Sequence, residues 1–195
     1  MKSLRFFIAI AAGVVTLTGC LLPETVENRI RYIDQNAPPQ ITVIWRNISS
    51  DAKNDQELQE DFAELVKEVD STNTDVFVGF KKDLIIRERQ VYIADGKLNV
   101  RISGISPTGQ FEDLASNGER MLVLDMEEAG RVETNGILLK TEENYILVWP
   151  ESMKEISWIN RLIPGESNED LKRWEQNRPT LIKMFEAYQQ QRRVK

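Results

Sequence analysis

The chain has 195 residues, with 25 Lys and Arg against 31 Asp and Glu and a formal net charge of −6 at pH 7. An acid-rich chain without a long Lys/Arg run is a poor ligand for nucleic acid or for anionic headgroups. It holds no His and a single Cys, which excludes Ser-His-Asp and Cys-His nucleophile arrangements and disfavours zinc and copper, whose usual ligands are imidazole and thiolate. No metal, cofactor or nucleic-acid partner is expected.

The sequence opens MKSLRFFIAIAAGVVTLTGC. Lys2 and Arg5 form a basic start, and Phe6 to Thr16 is an apolar run of eleven residues. About 20 apolar residues are needed to span a bilayer, so this run fits the core of an export signal instead. The next four residues, Leu17-Thr18-Gly19-Cys20, resemble the lipobox of bacterial lipoproteins. That resemblance covers residues 1–20 and implies cleavage before Cys20 with acylation of its sulfur. Two or three acyl chains hold a protein stably where one is marginal, at about 0.8 kcal/mol per buried CH₂. Leu21 stands where Asp would retain a lipoprotein in the inner membrane, so the resemblance implies the outer membrane, facing the periplasm, in a Gram-negative cell. The bland alternative is an ordinary secretory signal with Cys at its cleavage site.

Removal of residues 1–19 leaves enough chain for one domain and takes away Lys2 and Arg5, so the remainder is more acidic. Lipidation would consume Cys20, and the core must then carry stability without a disulfide. Residues 20–40 read as the lipidated Cys and a tether, with Ala37-Pro38-Pro39 extended and a reach of about 65 Å. A short helix from Pro23 to Tyr32, with Val26 and Ile30 on one side, is the alternative for this stretch.

Residues 41–190 read as one α+β domain and 191–195 as a polar tail. Ile41-Thr42-Val43-Ile44-Trp45 is β-branched and alternates, which predicts a strand. Asn54 with Glu57 starts a helix in capping-box manner, and Leu58, Phe62, Leu65, Val66 and Val69 share one face of it. From Asp75 the chain offers six strand candidates: 76–80, 84–93, 97–105, 120–126, 132–141 and 145–149. Asp95-Gly96 predicts a tight hairpin, and the short links between the others predict antiparallel neighbours in a meander. An edge strand is conceivable around Phe111. After Pro150, Met153, Ile156, Ile159, Leu162 and Ile163 fall at helical spacing. Leu171, Trp174, Leu181, Ile182, Phe185 and Tyr188 give a last helical face, which Pro179 should kink or divide.

Several side-chain groups invite chemistry, and each has a plainer explanation. Asp125, Glu127 and Glu133 could project from neighbouring strands as a carboxylate pair for glycoside chemistry, yet alternation with Leu122, Leu124 and Met126 makes them a solvated sheet face. Asp51, Asn54, Asp55 and Glu57 could gather oxygens for calcium, but helix-start chemistry already uses them. Arg87, Glu88, Arg89 and Gln90 read as cross-strand ion pairing. Arg192, Arg193 and Lys195 read as cations closing a helix. Ser152 with Lys154 or Lys140 lacks the S-x-x-K spacing of Ser-Lys catalysis. Trp45, Trp149, Trp158 and Trp174 lie on the elements that would close a sheet against helices, so core packing is favoured over a ligand cavity.

The fold expected is therefore an antiparallel sheet of six or seven strands, strongly curved if it wraps, with one helix after the first strand and two C-terminal helices on it. Anchoring without catalytic chemistry leaves binding: a membrane-attached, non-enzymatic module for an envelope protein partner. An exposed apolar patch or a reactive sheet edge would support that reading. A curved sheet plugged by helices is similar to the architecture of the lipoprotein-carrier family, which implies a hydrophobic ligand. A carboxylate-based hydrolase is the third possibility.

Overall fold

A computed structural model describes residues 21–33, 37–70, 85–106, 118–162 and 167–193. The signal and lipobox, the strand candidates at 76–80 and around Phe111, and Lys195 lie outside the described residues. The elements are β1 (Leu21–Arg31), β2 (Gln40–Ser50), α1 (Asp55–Asp70), β3 (Ile85–Ala94), β4 (Lys97–Ile105), β5 (Glu119–Asp125), α2 (Met126–Ala129), β6 (Arg131–Thr134), β7 (Ile137–Lys140), β8 (Asn144–Pro150), β9 (Glu155–Arg161) and α3 (Asn168–Arg193). The class is α+β. Six strands form an antiparallel sheet in the order β3-β4-β2-β1-β9-β6, and three more form a second sheet, β5-β8-β7.

Pairing register shows which side chains share a face, because directly opposed residues point the same way. Val26 opposes Trp45, which opposes Val100; Asn28 opposes Val43 and Trp158; Ile30 opposes Ile41 and Ile156. This inner face carries two adjoining cores. One gathers Val43, Trp45, Val100 and Ile102 against Leu58 and Leu65 of α1 and Leu181 and Phe185 of α3. The other gathers Ile30, Ile156, Trp158 and Val132 against Leu122, Leu124, Leu147 and Trp149 of the second sheet. Helices thus cover one part of the six-stranded sheet, and the three-stranded sheet covers another.

Three local predictions hold. Asn54 accepts from the Glu57 amide at 3.0 Å while Glu57 accepts from the Lys53 amide at 2.8 Å, a reciprocal cap on α1. Asp95 and Gly96, with φ of 53° and 67°, turn the β3–β4 hairpin. All four Trp side chains are buried, at 1–6 % exposure.

Other expectations need correction. Residues 21–31 are neither tether nor helix but β1, an inner strand between β2 and β9. Its apolar residues do not alternate simply, for β2 turns through Asn47 at φ 53° and the Glu24–Asn47 pair drops out of the register. Leu21 and Val26 consequently serve the same core although five positions apart. Residues 155–161 are strand β9, not helix: Ile156, Trp158 and Asn160 point inward, and Ile159 lies on the opposite face between them.

The two C-terminal helices are one, α3, with Pro179 inside it. Pro179 sits on the exposed side, while Trp174, Leu181 and Phe185 on either side of it are buried. A proline inside a helix costs about 3 kcal/mol, which the burial of those flanking side chains offsets. The meander expected for 75–149 is also interrupted. The stretch 132–141 splits at Asn135-Gly136 into β6 and β7, which belong to different sheets.

The outer face of the six-stranded sheet is charged and cross-linked by ion pairs. Burial by itself would raise the carboxyl of Glu27, but hydrogen bonds from Arg46 and Arg29 outweigh it and hold the group below its usual value. The same face carries Glu133 paired with Arg161 at 2.7 Å and Glu88 with Arg101 at 3.9 Å. The Asn47 side-chain amide donates to Glu24 at 2.7 Å, and with Lys97 it holds that carboxyl low as well.

Candidate interaction surface

The second sheet has one face in the core and one face outside. β5 alternates Leu122 and Leu124 inward, at 6 % and 1 % exposure, with Met121 and Val123 outward, at 36 % and 41 %. Met121 opposes Val148, which opposes Ile137; Val123 opposes Ile146, which opposes Leu139. Two rows of three aliphatic side chains therefore lie next to each other on the outer face, with Val148 in the central strand buried at 7 % and Ile146 part-buried between their exposed neighbours. Ile137 and Leu139 are 59 % and 50 % exposed. Scattered surface aliphatics need no explanation, but a contiguous set on one sheet face marks an interaction site.

Among the described residues this sheet also presents an open edge. The Thr141 amide donates to the Asn144 carbonyl at 2.9 Å, which makes 141/144 a hydrogen-bonded pair. The antiparallel ladder alternates, so Ile137 and Leu139 spend their backbone groups on β8 while those of Leu138 and Lys140 point away from it. Among the described residues no strand pairs with that edge. All four residues of β7 are exposed.

The surroundings are acidic. At one end, the Met126 amide donates to the Glu143 carbonyl at 2.9 Å, drawing α2 to the β7–β8 turn. Asp125, Glu127, Glu128, Glu142 and Glu143 are all exposed there, with Lys140 the cation on the adjacent strand. At the other end, the Glu151 amide donates to the Gly118 carbonyl, and Glu119 and Glu151 are exposed.

The residues singled out in the sequence fall in varied places. Cys20, Leu17, Thr18 and Gly19 lie outside the described residues. Asp125 caps α2 by accepting from the Glu127 and Glu128 amides at 2.8 and 3.3 Å, and Glu127 lies in that helix's first turn. Glu133 is engaged by Arg161 on the outer face of the six-stranded sheet, whereas Asp125 ends β5 of the other sheet. Asn54 and Glu57 are spent on the α1 cap. Glu88 pairs with Arg101 across β3 and β4 at 3.9 Å, the cross-strand ion pairing expected of that segment, and also accepts from Ser103 at 3.2 Å. Ser152 and Lys154 lie between β8 and β9, and Lys140 stands 5.9 Å from the Tyr145 ring centre. Arg192 stands 5.6 Å from the Tyr188 ring centre in the last turn of α3.

Sequence reasoning passed over the aliphatic face itself. A signal for it exists, since MLVL, ILL and YILVW are apolar on both parities, more than one buried face requires. Comparison of the chain with protein-family models, with characterised proteins and with solved structures gives no match.

Proposed function

We propose that this chain is a membrane-anchored envelope lipoprotein that holds or assembles a protein partner, without catalysis of its own, through the outer face of its three-stranded sheet. The observation that carries the reading is the double row of Met121, Val148 and Ile137 beside Val123, Ile146 and Leu139. Leaving the exposed members, Met121, Val123, Ile137 and Leu139, in water is unfavourable by about 25 cal/mol per Å², and a partner's apolar surface relieves it.

Anchoring favours a protein over the bilayer as that partner. Acylation at Cys20 would place the lipid one residue before β1, whose Leu21 is 1 % exposed. The face lies over Ile30, nine residues along that strand and one sheet layer out. At about 3.3 Å per residue this is some 30 Å from the anchor. The acidic surroundings also repel anionic headgroups.

A photo-crosslinking residue at Leu139 tests the reading in intact membranes. It should capture one defined protein, and the same residue at exposed Gln59 of α1 should not. Equal capture at both positions, or none at Leu139, would sink it.

A further inference from the structure

We infer that the partner supplies an extended strand, apolar at alternate positions and carrying Lys or Arg at the end beside the β7–β8 turn, which pairs with the outer edge of β7. This rests on the docking reading above and adds to it the partner's backbone form and charge. Natural sheets protect their edges with charges, prolines or bulges. The β3 edge follows that rule, with Arg87, Glu88 and Arg89 and a register shift between Ile86 and Glu88. The β6 edge carries Arg131 and Glu133. By contrast, β7 is Ile-Leu-Leu-Lys, with Lys140 its one charge.

The geometry of β7 suits strand addition. Outward amides and carbonyls of Leu138 and Lys140 supply main-chain hydrogen bonds. Alternate side chains of an added strand would extend the rows that end at Ile137 and Leu139. Charge selects one flank. Glu142 and Glu143 in the β7–β8 turn stand beside that edge, whereas Asp125 and Glu119 belong to β5 on the far side of β8, so a cation at the end of the incoming strand next to the turn meets carboxylates. A second copy of this chain would bring acids to acids, which argues against self-pairing through this face.

The test uses the full lipoprotein in neutral detergent and the synthetic peptide Lys-Lys-Val-Thr-Val-Thr-Val-Lys-Lys. Binding should slow amide exchange at Leu138 and Lys140, and the peptide with glutamates for its lysines should bind about tenfold more weakly or worse. Leu138→Pro removes an outward amide without touching the β8 ladder, so it should abolish binding while leaving the melting transition intact. Should that variant unfold, a peptide N-methylated on alternate amides replaces it, and it should not bind the unaltered chain. Protection at Met121 and Val123 on the β5 edge, equal binding of the glutamate peptide, or no binding would overturn the inference. If the peptide fails while the Leu139 crosslink to the native partner persists, strand addition is wrong and the docking face stands. If both fail, the docking reading falls with it.

Discussion

Trp149 donates its indole N–H to the side-chain oxygen of Asn135 at 2.9 Å, and this bond ties the two sheets together at the margin of their shared core. The same oxygen accepts from the Ser157 amide at 2.8 Å, and the Asn135 amide donates to the Ser157 carbonyl at 3.2 Å. Gly136 follows, so close to the Trp149 ring that an added Cβ would stand 2.4 Å from it. Asn135→Ala strands two donors and should cost about 1–3 kcal/mol in denaturant unfolding. Gly136→Ala should cost at least as much, because ring and backbone must both shift. Unchanged urea midpoints for both would show that the join does not carry the sheet packing.

Glu27 sets part of the acid stability. Its folded-state value lies below its ordinary 4.5, so it contributes stability that is fully present above that value and is lost as pH falls through the folded value. Glu24, lowered chiefly by the Asn47 hydrogen bond, acts in the same direction. Unfolding free energy measured from pH 6 to about pH 2 should therefore fall on the acid side. Glu27→Gln should flatten that limb. A variant whose acid limb matches the parent would show that Arg29 and Arg46 do not hold the carboxylate.

Leu65 is 2 % exposed where α1 meets the sheet. Leu65→Asp buries a charge without a partner and should abolish cooperative unfolding near room temperature, a loss of several kcal/mol. A variant melting like the parent would mean that this face of α1 is not in the core.

Cys20→Ser should move the protein from the membrane fraction to the soluble fraction, because no helix among the described residues is long and apolar enough to cross a membrane. Retention in the membrane would refute the acyl anchor. An acyl anchor there would differ in reach from a free tether: β1 begins at Leu21, so a lipid on Cys20 would hold the domain on a short leash.

Legibility in the sequence followed how local the determinant is. Helix α1 and the β3–β4 hairpin were readable because their signals, Asn54 with Glu57 and Asp95 with Gly96, lie within a few residues. β1 was not, because the strand changes face opposite Asn47, a residue more than twenty positions away in the chain. β9 misled through Ile159, whose placement on the outer sheet face completed a helical spacing with Ile156 and Leu162. Pro179 misled in the other direction, since tertiary burial around it carries the helix through. The aliphatic face was visible only as an excess of apolar residues on both parities. Whether such a run is sandwiched or exposed depends on what the fold stacks against it.

The most direct measurement is native mass spectrometry of the full chain, extracted from its native cells in mild detergent beside the Leu139→Glu variant. A stoichiometric protein companion on the parent, absent from the variant, is the predicted result. A bare chain or a lipid-sized companion on the parent, or the same protein companion on both, would contradict the docking face.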